Sequence, residues 1–131
     1  MSKSGRYSAD RKKIEALSAS KTVEVHDCGT IFTADSSGAE LTVTLPSPSV
    51  AGKGWWCKVI RIHGSTNDVV IAVGGSQVYG IETSGSSVEI NGTADIKLAG
   101  AVTGIQIEMI SDGTNWLALA HGRNAADVTN P

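Results

Sequence analysis

Three histidines, two cysteines and thirteen carboxylates are the groups from which this 131-residue chain could build chemistry. His26 and Cys28 stand two apart with Asp27 between them. On an extended strand that spacing puts imidazole and thiol on one face and the carboxylate on the other. A histidine beside a cysteine can activate a thiolate, and the same pair with a further histidine brought in by the fold can hold zinc. A two-residue step along one strand rarely gives the in-line contact that activation needs, and no oxyanion turn accompanies it. His63 and His121 add no HxH or HExxH spacing. Asp112-Gly113-Thr114-Asn115 offers oxygen donors for calcium without the spacing of an EF-hand loop. Gly74-Gly75 and Gly100 open no helix that would cradle a phosphate. The expectation is a chain with no catalytic site, no metal and no cofactor.

Two residues suit recognition better than catalysis. Trp55 and Trp56 are adjacent, so on a strand they point to opposite faces. If one enters the core, the other sits at the rim, against a neighbouring chain, or open for stacking on a sugar. Trp55 and Trp56 are therefore the candidates for a subunit interface or a surface stacking site.

Charge divides the chain in two. Residues 1–21 carry six Lys/Arg against two acidic residues, a net +4, whereas the remaining 110 carry five against eleven, a net −6. A basic arm (1–21) on an acidic body (22–131) is the domain organisation this predicts. Arg6, Tyr7, Arg11, Lys12 and Lys13 supply charge and one aromatic, as nucleic-acid binders do. The acidic body would repel a polyanion, so no nucleic-acid partner is expected and docking on a protein surface is favoured. Ser8 is a plausible N-cap for a short helix over 9–17, in which Ile14 and Leu17 share a side. Such a short helix is marginal alone and would form by laying Ile14 and Leu17 on the body or on a partner.

From Thr22 onward the period is two. Candidate strands are Thr22–Val25, Thr30–Ala34, Glu40–Leu45, Trp55–Ile62, Asp68–Val73, Gln77–Ile81, Ser87–Asn91, Asp95–Leu98, Gly104–Ser111 and Asn115–Ala120, with turn signals such as Pro46-Ser47-Pro48 and Asn91-Gly92 between them. The low aromatic content and 15 glycines agree with many short strands. The fold class expected is all-β: an antiparallel β-sandwich or small barrel, preceded by the extended basic arm with its short helix. Short connections argue for antiparallel pairing, and Ile110–Trp116 reads as a hairpin whose Asp-Gly supplies the positive-φ positions. Two cysteines make no disulfide framework. The longest wholly apolar run, Val69–Val73, is far too short to span a membrane, and residues 1–21 lack a signal peptide's apolar segment.

Five phrases stand in succession: Ser4-Gly5-Arg6-Tyr7-Ser8-Ala9-Asp10-Arg11-Lys12-Lys13, Asp27-Cys28-Gly29-Thr30-Ile31-Phe32, Thr44-Leu45-Pro46-Ser47-Pro48, Ala51-Gly52-Lys53-Gly54-Trp55-Trp56 and Ser111-Asp112-Gly113-Thr114-Asn115-Trp116. Together they resemble the small β-rich virion proteins of tailed bacteriophages, which include head decoration (cement) proteins and modules of fibres and necks. A free 131-residue chain beginning at Met1 fits decoration better than a fibre module. The resemblance implies a structural, non-enzymatic homotrimer on the outer capsid surface of the virion, made in the host cytoplasm, which bridges major capsid protein subunits. The arm residues Arg6, Tyr7, Arg11, Lys12, Lys13, Ile14 and Leu17 would then dock on the capsid. Each fully buried large side chain would contribute roughly 1.5–3 kcal/mol, less the cost of ordering the arm. The alternative is a tail, neck or fibre module that adheres to host glycans through Trp55 or Trp56.

Overall fold

Alternating apolar and polar residues carry about half of the described residues into short strands. The computed structural model describes residues 11–63, 66–84, 88–99, 103–123 and 125–129. Its strands are β1 (Lys13–Leu17), β2 (Lys21–Thr22), β3 (Thr30–Ala34), β4 (Leu41–Thr44), β5 (Trp56–Arg61), β6 (Val69–Ala72), β7 (Val78–Thr83), β8 (Val88–Gly92), β9 (Ile96–Leu98), β10 (Gln106–Ser111), β11 (Trp116–His121) and β12 (Val128–Thr129). One helical turn, α1 (Pro48–Ala51), starts where Ser47 Oγ accepts the Val50 N–H at 3.3 Å and proline occupies the first turn.

The strands form two sheets, ordered β1-β3-β5-β10-β11-β7-β8 and β12-β9-β6-β4-β2. The molecule is all-β and is not a closed barrel, since each sheet keeps two edges. The expected antiparallel dominance does not hold. β1 on β3, β3 on β5, β2 on β4, β4 on β6 and β7 on β11 are parallel, and the other five described ladders are antiparallel. The reason lies in the winding. Up to β6, every connection carries the chain from one sheet to the other, so each strand pairs with the next but one, running in the same sense. A short connection here is an arch between sheets and not a hairpin within one.

The helix expected over 9–17 is replaced, in its described part, by β1. Ile14 pairs with Ile31 and Leu17 with Ala34, and the Asp35 N–H donates to the Leu17 carbonyl at 2.9 Å. Being three apart, Ile14 and Leu17 fall on opposite faces of a strand: Leu17 is buried and Ile14 is 65% exposed. A helix would bury the same pair only against another body, while the strand gains a ladder at once. Ser8 and the rest of residues 1–10 lie outside the described residues. The 110–116 hairpin forms with Ser111 opposite Trp116, around a four-residue loop. Only Gly113 takes positive φ (93°); Asp112 instead uses Oδ1 to accept the N–H groups of Thr114 at 2.8 Å and Asn115 at 2.6 Å.

Both sheets send side chains into one hydrophobic cluster, Phe32, Val59, Ile107, Met109 and Trp116 from the seven-stranded sheet and Leu41, Val43, Ile71 and Leu98 from the five-stranded one. Two charged residues are fully buried beside it. Arg61 of β5 donates through Nη1 to the Leu98 carbonyl of β9 at 3.0 Å and through Nε to the His63 carbonyl at 2.9 Å. Glu82 of β7 accepts the Gly122 N–H and the Ser84 hydroxyl, each at 3.0 Å. Arg61 thereby ties one sheet to the other with a side chain of the seven-stranded sheet.

Candidate functional site

Several of the residues singled out in the sequence, Lys13, His26, Asp27, Cys28, Trp55 and Trp56, lie around one corner, where the basic segment enters the edge strand β1. Val25–Asp27 is a 3-10 turn and not the end of a strand, so His26, Asp27 and Cys28 do not alternate across a sheet. Asp27 turns inward and is buried, while His26 and Cys28 are exposed. Asp27 Oδ2 accepts the Glu24 N–H at 2.9 Å, and Oδ1 lies 3.6 Å from Lys13 Nζ and 3.9 Å from His26 Nε2. Burial opposes the charge on Asp27. The Glu24 N–H and the positive charges of Lys21, His26 and Lys13 outweigh it and hold the carboxyl below its ordinary value. Lys13, though exposed, is thus drawn to the body; Arg11 and Lys12 are exposed as well. Arg6 and Tyr7 lie outside the described residues.

Behind the corner the two tryptophans part company. Trp55 is buried; its Nε1–H donates to the Val25 carbonyl at 2.8 Å, and its ring meets Trp116 edge-on with centroids 5.6 Å apart. Trp56, the next residue, is half-buried on the outer side of β5, beside Gly29. Trp55 is consumed by the core, which leaves Trp56 as the member able to meet a ligand or a partner. Cys57 follows on the inner face, where burial pushes its thiol up to about 12. At neutral pH it is a packed thiol, not a nucleophile.

Trp56 opens a row that sequence reading missed. Across β5, β10, β11 and β7, Trp56, Ile110, Leu117 and Tyr79 are register neighbours on the outer face of the seven-stranded sheet. The next row runs Lys58, Glu108, Leu119, Ile81 and, on β8, Glu89. Tyr79, Ile81, Leu117 and Leu119 are each 39–49% exposed. A signal was present in Trp116-Leu117-Ala118-Leu119-Ala120, where alanines alternate with the leucines after Trp116. It reads as an ordinary buried strand until the fold shows that the alanines face the core.

At the other end of the sheet, Thr103, Gly104, Ile105, His121, Gly122 and Arg123 border a recess of about 240 Å³. Two of its polar side chains are already engaged: His121 Nδ1 with the Thr83 hydroxyl, and Arg123 with Asp127 at 3.7 Å. Among the described residues no group of three or more His, Cys, Asp or Glu is placed to hold a metal, and no helix is long and apolar enough to cross a membrane. No family model matches the chain, and no curated protein matches it.

Proposed function

We propose that this chain is a structural virion protein that decorates and cements the outer surface of a bacteriophage capsid, bridging major capsid protein subunits. In this reading the two sheets stack as a sandwich, and the segment ahead of β1 docks on acidic capsid surface. The observation that carries it is electrostatic. Arg11 and Lys12 are exposed where the chain enters an edge strand of a body that is otherwise acidic. Arginine there can pair bidentately with capsid carboxylates, and repeated weak contacts over a lattice add through avidity.

The test is co-sedimentation with capsids. A chain lacking residues 1–12 should keep its melting transition and lose capsid binding. Removing residues 1–17 would not serve, because it deletes β1 and uncovers β3. Binding by the truncated chain equal to that of the full chain would refute the docking role. A second reading, adhesion to host glycans as a tail, neck or fibre module, draws on the half-exposed Trp56 and the exposed Tyr79 in one row. Glycan-array binding that disappears in Trp56→Ala would favour it over the first.

A further inference from the structure

We propose that the outer face of the seven-stranded sheet is a contact between two copies of this chain, related by a twofold axis running along β11. The inference does not depend on the capsid reading. Its starting point is a continuous apolar surface, Trp56, Ile110, Leu117 and Tyr79 in one row and Leu119 and Ile81 in the next, with the β7 and β11 members 39–49% exposed. Contiguous exposed apolar surface of this kind marks an interaction site.

The charges select the partner and the geometry. β11 lies at the centre of the set β5-β10-β11-β7-β8, with two strands on either side. A twofold axis along β11 lays β5 over β8 and β10 over β7. Leu117 and Leu119 then meet their own counterparts, Ile110 meets Tyr79, Trp56 meets Asn91, Glu108 lies over Ile81, and Lys58 faces Glu89 of the other copy, twice over. A twofold axis running across the strands along the second row would instead set Lys58 on Lys58, Glu108 on Glu108 and Glu89 on Glu89. Within the chain, among the described residues, neither Lys58 nor Glu89 makes an ion pair; Glu89 accepts only the Asn91 amide, at 3.1 Å. Of these two axes, the one along β11 pairs opposite charges at both flanks of the face, and the one along the second row sets like charges together.

The size of the face sets the strength. Five strands spaced about 4.8 Å apart and six residues rising about 3.4 Å each give a patch of about 24 by 20 Å. That is at the low end of a specific protein contact, so the pair should form and dissociate with concentration.

Light scattering on the full chain across a micromolar-to-millimolar series should show the mass climbing from 13.5 kDa toward twice that value. Lys58→Glu and Glu89→Lys should each weaken association about tenfold or more while melting like the parent, and the double variant should recover the parental association. A mass of 13.5 kDa at every concentration would overturn the proposal. So would a threefold mass, as the resemblance implies, or a double variant no better than the singles. Should the chain stay monomeric while Leu119→Asp abolishes capsid co-sedimentation, the face belongs to the capsid contact instead.

Discussion

The two sheets share a core, but the surfaces they turn outward differ in kind. On the five-stranded sheet the outward row Thr42, Val70, Lys97 and Thr129 is polar except for Val70, which is itself buried, and the neighbouring row is Thr22, Thr44 and the small Ala72. On the seven-stranded sheet the outward rows hold Trp56, Ile110, Leu117, Tyr79, Leu119 and Ile81 alongside the polar Lys58, Glu108, Glu89 and Asn91. An ordinary sheet with one face in water sets polar residues outward, and the five-stranded sheet does so. The seven-stranded sheet reverses the rule along β11, with Ala118 and Ala120 inside and the leucines outside. The inner side leaves little room there: a Cβ on Gly80 of β7 would collide with the carbonyl of Ala118. That close approach accounts for glycine at position 80, but nothing in the packing requires leucine outward. The comparison singles out the leucines as the residues on which the proposed contact between copies turns.

The largest effect expected separates the inner from the outer side of the same sheet. Ile107→Ala, on the inner face, should cost about 2–5 kcal/mol in denaturant unfolding, whereas Leu119→Ala, measured where the chain is monomeric, should cost about 0.5 kcal/mol or less. Equal costs would mean that the outer face is covered by the chain itself. Next comes the tie between the sheets. Arg61→Leu keeps the bulk and leaves the Leu98 and His63 carbonyls without the guanidinium donor, for a loss of about 1–3 kcal/mol in the same measurement. No loss would show that the clamp is neutral for stability.

Smaller effects come from the corner where β1 begins. The Asp27 carboxyl is held below its ordinary value of 3.8, so its contribution to stability is present above that pH and is lost as pH falls through the lower folded value. Asp27→Asn should therefore unfold at lower urea than the parent at neutral pH, and the difference should close in acid. A gap that widens in acid would reverse the assignment. The mildest probe is chemical and leaves the fold untouched. Cys28 is exposed and Cys57 buried with its thiol near 12, so a thiol reagent should label one equivalent in the native chain and two after unfolding.

Much of the strand pattern is legible in the sequence because alternation is local. Thr30–Ala34 is read with both ends in place, and the strands around Val59, Ile71 and Ile107 are displaced by one or two residues at most. The pairing is not legible. Nothing in Ser18-Ala19-Ser20 or in the loop between β3 and β4 says whether the next strand returns to the same sheet or crosses to the other, and that choice decides between antiparallel and parallel neighbours. β1 is obscured for a related reason: Ile14 and Leu17 fit a helical face by spacing, and only the presence of β3 alongside gives the segment a ladder and buries Leu17. The corner was half legible, since Lys13, His26, Asp27, Trp55 and Trp56 were all singled out, while the inward turn of Asp27 depended on a 3-10 turn that alternation does not encode. The outer apolar face requires knowing which side of β11 meets the core.

The most direct test of the central claim places one charge on each outward face and reads self-association by light scattering. Leu119→Asp on the seven-stranded sheet should hold the chain at 13.5 kDa at concentrations where the parent approaches twice that mass, and Thr42→Asp on the five-stranded sheet should associate like the parent. Loss of association in Thr42→Asp with none in Leu119→Asp would place the contact on the other sheet and contradict the account.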